Sequence, residues 1–475
     1  MAISRRSALL GAGAVGAAVM VPTVQHLRWG AKDFVRDGYD PNMLEPTGSD
    51  DSWMNWAGNQ KSTPSSFFWP DSEAELAERI RSTQQRIRPV GSGHSFSGVA
   101  PSEGMMVNVG GLDGLRSFDN RTGEATFGAG TLLFNAAQEL ETKGRAFDNL
   151  SDIDVQTLAG AFSTATHGTG QALTALHDYI TGFRLVTPSG DIVEVSQETN
   201  ADLFAAGKAS LGSLGVITEY RLRTVPAFNL KRTVTVEKAD AFLARITGLG
   251  NTHRHFEFFY FPGTRLIASI VHDQTDDPIS EEAPSDDDEI LDGLRQLRDQ
   301  LGWWPWLRRM TAQSEFPSGV IEQRVGKSLD LLATARPTQF VEMEYHLPLA
   351  EGPGTVAQVM EMLDRRNDVY FPMEYRHVAR DDAWLSPFNG GPRASIAIHS
   401  SPEENYDFFF SEFEPLYLRK GGRPHWGKLH SLDAARLASL YPKFKQFNEL
   451  RRDLDPNGKF LNPHLAKVFG EDGGA

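Results

Sequence analysis

The sequence predicts an α+β fold, and three observations carry that expectation. Short alternating apolar runs and helix-period segments are interleaved without the regular spacing of βαβ units. Three glycine-rich loops fall in the first half, around Gly91, Gly160 and Gly212. The chain has 475 residues, 40% of them hydrophobic, with 29 Phe and 9 Trp. That supplies sizeable cores for about two or three domains of ~150 residues each.

Composition also removes whole classes of function. With no cysteine, there is no disulfide framework, cysteine nucleophile, thiolate zinc site or iron–sulfur cluster. The net charge of −15, from 47 basic and 62 acidic residues, repels phosphate backbones, so nucleic acid is not an expected partner. Nine carboxylates and no Lys or Arg lie between Asp273 and Glu289, with Pro278 and Pro284 among them. This pattern predicts a solvated acidic loop over 273–289 without a catalytic role.

The elements follow in order. Residues 1–22 begin with Arg5-Arg6 and continue into a small-residue apolar run that Pro22 closes. The run is short of the ~20 residues needed to span a bilayer and resembles a twin-arginine export signal. Gly11-Ala-Gly13-Ala-Val-Gly16 inside it matches a dinucleotide fingerprint, but the strand that should precede one is missing. Ser72 caps a helix carrying Leu76 and Ile80. Strands are expected at Ile87 to Val90, Met105 to Val109 and Ala125 to Gly128, and a helix over Leu132 to Lys143 that stops at Gly144. Phe183 to Thr187 and Ile192 to Val195 flank a Pro-Ser-Gly-Asp turn and predict a hairpin; Val216 to Val225 alternates like a strand. Gly302-Trp-Trp-Pro-Trp306 predicts a packed aromatic cluster with a basic edge. From Asp433 helical periodicity returns through Leu437, Tyr441, Phe444, Phe447 and Leu450, and Asp455-Pro-Asn-Gly458 makes a tight turn.

The glycine loops carry the first functional signal. Glycine lets backbone N–H groups come close to a pyrophosphate, and Ser or Thr hydroxyls add donors. A lone loop of this kind reads as a turn; three in one segment, two with an embedded histidine, point to a nucleotide cofactor. His94 stands between Gly93 and Ser95, where a neutral imidazole can act as a nucleophile.

Three segments carry a family resemblance: Arg88-Pro-Val-Gly-Ser-Gly-His-Ser-Phe96, Asp152 to Gly160 running into Thr166-His-Gly-Thr-Gly170, and Leu211 to Ile217. They resemble the FAD domain of the vanillyl-alcohol oxidase superfamily, in its aldonolactone oxidase and alditol oxidase branch. Arg423-Pro-His-Trp-Gly-Lys428 and Leu454 to Asn462 are similar to that branch's carboxyl-terminal signatures. The resemblance spans roughly Trp53 to Leu465 and is loose in the middle.

The resemblance implies a two-part FAD-binding domain (PCMH type) over 54–228 and a cap over 229–430 with an antiparallel sheet flanked by helices. It implies that 431–475 returns to the flavin domain. FAD would be the cofactor, bound covalently through His94. Pro89, Val90, Gly91, Ser92, Gly93 and Ser95, with Gly160, Ser163, Thr164, His167 and Gly168, would hold its pyrophosphate, and Ile217 would lie near the ribityl chain and ring. Without cysteine, any covalent flavin must hang on a single residue.

In the cap, Glu374-Tyr-Arg376 puts both charges on one strand face, and His399 ends an apolar strand run. Read alone, the first is a solvated face and the second a core histidine. The resemblance instead gathers Glu374, Arg376, His399 and Lys428 as catalytic residues over the flavin. Lys428 would supply a cation near N1, Arg376 would bind substrate oxygen, Glu374 would fix a hydroxyl, and His399 would help accept the proton. The implied reaction is oxidation of a CH–OH group of a sugar-1,4-lactone or alditol by hydride transfer to flavin N5. Ser151 occupies a site that bears on oxygen access in relatives and leaves oxygen, quinone or cytochrome open as acceptor. Two alternatives stand beside this reading: an exported dehydrogenase using a respiratory acceptor, and a non-catalytic sugar-binding protein on a flavin scaffold. The expected location is the periplasm, with membrane contact only through an uncleaved amino-terminal signal.

Overall fold

A computed structural model describes residues 52–280, 287–334 and 338–471. The twin-arginine-like segment 1–22 and residues 281–286 of the acidic stretch lie outside them.

Besides two two-stranded pairings, the described amino-terminal part holds a three-stranded and a five-stranded sheet. Ser66–Phe68, Met105–Asn108 and Ile87–Val90 pair in parallel. Ile192–Ser196, Ile180–Val186, Val216–Leu222, Ala125–Gly128 and Leu115–Phe118 form an antiparallel sheet in that order. The expected hairpin is present, Val186 pairing with Ile192. The helix Glu73–Ser82 buries Leu76, Ala77 and Ile80, and the Ser72 side chain accepts from the Glu75 N–H. The helix Leu133–Thr142 buries Leu133, Ala136, Ala137 and Leu140, as its spacing predicts.

The second part is one eight-stranded antiparallel sheet. Its central strands are His255–Phe261, Met373–Val378, Arg393–Ser400 and Val341–Pro348, and Arg423–Pro424 adds a short edge. Register sorts the side chains. Glu257 faces Arg376, which faces Ser395, which faces His346. Alternation therefore puts Glu257, Glu374, Arg376, Ser395, His399, Glu342, Glu344 and His346 on one face. Phe256, Phe258, Tyr375, Ile396, Met343 and Tyr345 share the other, and helices cover them. Phe242 of the helix Ala239–Leu243 packs 4.9 Å from Phe258. Gly352 opens the helix Gly352–Arg365 where a Cβ would come within 2.5 Å of the Tyr375 hydroxyl. The polar face is left for the flavin-binding part.

The structure changes three expectations. The 273–289 stretch is not one loop: the strand Leu266–Thr275 and the helix Asp287–Leu301 take its two ends. Helical periodicity after Asp433 resolves into Ala434–Leu440 and Phe444–Leu454, because Pro442 cannot donate within a continuous helix. The tryptophans at 303, 304 and 306 lie against one another, yet Trp304 is 42% and Trp306 63% exposed. The ring cluster is therefore a surface feature. The carboxyl-terminal segment packs on the flavin-binding part: Asn462 donates to the carbonyls of Gly98 and Pro101, and the Ile87 N–H donates to Lys459.

Candidate active site

The glycine loops meet around one side chain. Arg88 is buried and donates to the carbonyls of Val99, Leu211, Gly212 and Phe460 at 2.7–3.0 Å. It thereby ties the first loop, the third loop and the carboxyl-terminal segment together. Burial alone pulls its guanidinium down to about 9, and four carbonyl partners repay the lost hydration.

The cleft so formed is lined by Pro89, Val90, Gly91, Ser92, Gly93, His94 and Ser95, by Gly160, Ser163 and Thr164, and by Ile217. Trp53, Gln156, Leu211 and Gly212 complete much of its wall. One of its glycines is needed for closeness of approach, and a second sits tight against the same side chain. A Cβ on Gly91 would meet the Thr157 hydroxyl at 2.2 Å, and one on Gly160 would meet it at 3.2 Å. Gly93 is at φ +72°, a conformation that L side chains rarely adopt. A backbone-lined cradle of this kind fits the pyrophosphate of a dinucleotide.

His167 and Gly168 stand apart from the cleft lining. His167 turns inward, its Nε2 lying 3.0 Å from Glu344 and its Nδ1 2.8 Å from the Gly168 carbonyl. A Cβ on Gly168 would fall 2.1 Å from the Leu150 carbonyl. This loop anchors the flavin-binding part to the polar face of the sheet and leaves Ser163 and Thr164 to reach the cleft. Ser395 also donates to Glu344. Burial would raise that carboxyl, but His167, His346 and His425 together hold it well below the usual range.

His94 stands at the end of the cleft, stacked on Trp56 with ring centroids 5.4 Å apart. Burial, then the charge of Lys428, lowers it to about 4, so the ring is neutral across ordinary pH. Lys428 reaches this neighbourhood because the loop carrying it is clamped to the His94 loop. The Phe96 N–H donates to Gly427 and the Ser97 hydroxyl to Trp426, at 2.7 and 2.6 Å. Along the sheet, the N–H groups of His425 and Leu429 donate to the backbone carbonyls of Glu344 and Glu342.

Glu342 joins the cation and the imidazole. Its Oε2 accepts from Lys428 Nζ and lies 3.7 Å from His399 Nε2. His399 is fixed from behind, its Nδ1 2.7 Å from the Pro372 carbonyl; burial lowers its pKa against the pull of Glu342. Glu374 and Arg376 form a second group. Arg376 is paired with Asp152 and Glu374, and its Nε lies 3.0 Å from Glu257. Burial pulls the guanidinium down, but Asp152, Glu374 and Glu257 more than offset it. Glu374 goes the other way: burial, with Asp152 and Glu257 beside it, raises it well above the carboxylate range despite Arg376. A carboxyl raised this far is a hydrogen-bond donor as well as an acceptor.

All four cap residues singled out from the sequence thus lie on or against one sheet face. Asp152, Glu257, Glu342 and Glu344 were not singled out as site residues. Their signal was available: Glu342-Met-Glu344 and His255-Phe-Glu257 repeat the charged alternation of Glu374-Tyr-Arg376 inside apolar strands.

Comparison with known proteins agrees with this geometry. Residues 220–468 match the family described as D-arabinono-1,4-lactone oxidase, and residues 64–196 match an FAD binding domain. The chain is 34% identical to an L-gulono-1,4-lactone dehydrogenase of Mycobacterium tuberculosis, over 88% of this chain and 99% of the relative. It is 30% identical to an L-gulonolactone oxidase of Scyliorhinus torazame (87% and 97% covered) and 26% identical to an alditol oxidase of a Streptomyces species (87% and 98%). The crystal structure of a cholesterol oxidase from Brevibacterium sterolicum superposes with a TM-score of 0.72 at 12% identity, over 88% of this chain and 96% of that one, which shows the shared fold. The fused glycine cradle and the charged cap face are thus the two halves of one FAD-dependent architecture, and the chain belongs to the D-arabinono-1,4-lactone oxidase family.

Proposed function

We propose that this chain is an FAD-dependent oxidoreductase that oxidises a CH–OH group of a sugar-1,4-lactone or an alditol. The observation that carries the reading is Glu342 holding Lys428 and His399 together, beside Arg376 and Glu374, at the His94 end of the cleft. The flavin, when bound, accepts the substrate hydride at N5. The remaining work falls to the chain. Lys428 presents a positive charge to the bound flavin, where the incoming hydride adds negative charge. His399, neutral and fixed by Pro372, has Nε2 free to take the hydroxyl proton and Glu342 beside it to stabilise the imidazolium. Arg376 donates to a substrate oxygen, and Glu374 as a neutral acid donates to another. His94, neutral and at the flavin end, is the proposed attachment point for a covalent cofactor.

The test is an anaerobic screen that follows flavin bleaching, with L-gulono-, L-galactono- and D-arabinono-lactones beside xylitol and sorbitol. Rapid bleaching by members of this set supports the reading. Bleaching by none of them returns the chain to a sugar-binding role. Denaturing the protein separates the covalent question: flavin that remains in the precipitate, and is released in His94→Ala, supports the link.

A second reading concerns the acceptor. The 34% identical relative is named a dehydrogenase, and the oxidases are less similar, so electrons passing to a quinone or cytochrome is the alternative to oxygen. Peroxide formation at the turnover rate would remove it. Export by a twin-arginine route, carrying the folded cofactor-loaded protein, belongs to this reading. Replacing Arg5 and Arg6 by lysine in a fusion of residues 1–35 to a reporter should abolish export.

A further inference from the structure

The flavin cleft has a neighbour at this site. A second cleft, of about 320 Å³, lies at the end of the cap sheet and shares no residue with the first. His399 lines it together with Arg366, Asp368, Asn405, Ser411 and Glu412. Among the four catalytic candidates, His399 alone borders this second cleft. A molecule seated there touches His399, one carboxylate away from Lys428.

The walls decide what such a molecule can be. Arg366 pairs with Asp368 at 2.7 Å and Glu412 at 2.5 Å, and Glu404 of the same cleft pairs with Arg298 at 2.7 Å. An alkyl chain laid here would desolvate these ions and gain little apolar contact. Hydroxyl groups can exchange water for the carboxylate, amide and hydroxyl groups of Asp368, Asn405, Ser411 and Glu412. The charge balance adds a second filter. Carboxylates outnumber cations both in the cleft, where Asp368, Glu404 and Glu412 face Arg366 and the Arg298 that pairs with Glu404 from behind, and around Arg376, with Asp152 and Glu257. A substrate bearing its own carboxylate meets like charge.

We propose that the cleft at His399 is the entry port and outer subsite of the active site, built for an uncharged polyhydroxylated substrate. It admits the closed lactone or the polyol and turns away both the ring-opened aldonate and lipid alcohols. This rests on His399 and Lys428 being the reacting end, as proposed above.

The absence of cysteine makes the test direct. Ser411→Cys puts a single thiol in the cleft, and Ser189→Cys puts one on an exposed turn as control. Each variant is compared before and after reaction with a bulky maleimide. Labelled Ser411→Cys should bleach with lactone more than tenfold slower than before labelling, whereas dithionite should reduce its flavin at an unchanged rate. The labelled Ser189→Cys control should keep its own rate. Lactone should also slow the labelling of Ser411→Cys, and the sodium salt of its hydrolysed acid should neither slow labelling nor bleach. An unchanged bleaching rate after labelling, with no protection by lactone, overturns the port. Equal behaviour of aldonate and lactone overturns the charge filter. If no lactone or alditol bleaches the unlabelled protein but lactone still protects the thiol, the oxidoreductase reading fails and the binding cleft stands.

Discussion

The two faces of the eight-stranded sheet are made from the same strands by alternate residues, and they do opposite things. One face carries Phe258, Tyr375 and Ile396, which are buried under helices with ring-on-ring contacts such as Phe258 on Tyr375 at 5.0 Å. The other carries Glu257, Arg376, Glu342 and His399, buried nearly as deeply but paired with one another and with the flavin-binding part. The apolar face stabilises through area removed from water. The polar face desolvates ions that barely compensate one another and keeps them for chemistry. Mutations on the apolar face should therefore cost stability alone, and those on the polar face turnover as well.

The largest effect is expected from Arg376→Ala. It leaves Asp152 and Glu257 beside the neutral Glu374 without their cation, so stability should fall by about 3–5 kcal/mol. Lactone-driven bleaching should fall by roughly three orders of magnitude, on the scale of losing ~4 kcal/mol of transition-state stabilisation. Urea denaturation and stopped-flow bleaching measure the two losses. A variant as stable as the parent would show that Asp152 and Glu257 are not charged together.

Phe258→Ala, on the opposite face, should cost a similar ~3–5 kcal/mol in stability. Its bleaching rate, measured below the unfolding transition, should stay within about twofold of the parent. A large rate loss with intact folding would mean that the two faces are mechanically coupled.

Glu342→Gln keeps the shape but removes the charge shared by Lys428 and His399. The saturating bleaching rate should drop roughly 10- to 100-fold, about 1.4–2.7 kcal/mol, with a smaller change in apparent KM. The pH profile of that rate should also shift, which a purely structural contact would not produce.

The smallest effect concerns His377 on the apolar face. Burial lowers it from 6.5 to about 4. Between these values the unfolded chain holds a proton that the native one does not. Stability is therefore full above pH 6.5 and is lost as pH falls toward 4. His377→Gln should flatten the pH dependence of urea stability in that window by at most about 1.4 kcal/mol per pH unit. An unchanged slope would show that His377 does not contribute.

Much of this was legible in the chain itself. Ser72 and the spacing of Leu76 and Ile80 located a helix, and Pro188-Ser-Gly-Asp191 located a hairpin, because caps and turns are set by neighbours in sequence. Gly91 and Gly93 marked the cradle, since a Cβ on the first would strike Thr157 and the second takes a positive φ. His167 lies elsewhere for a related reason. Its loop has the same glycine-rich composition as the cradle, and only Glu344, 177 residues away, draws the imidazole inward. Glu342 was missed because a glutamate in an apolar strand gains meaning from what lies opposite, and Lys428 is supplied by a distant loop.

The sequence by itself determined the elements, the glycine cradle and the absence of any thiol, because periodicity, capping and backbone freedom act over a few residues. Only the tertiary structure decided which strand face became the polar one's partner, which carboxylate holds Lys428 and His399, and which cleft opens onto His399. Those depend on register across strands and on segments far apart in the chain, where a single-residue slip would exchange every buried ion for an aromatic ring.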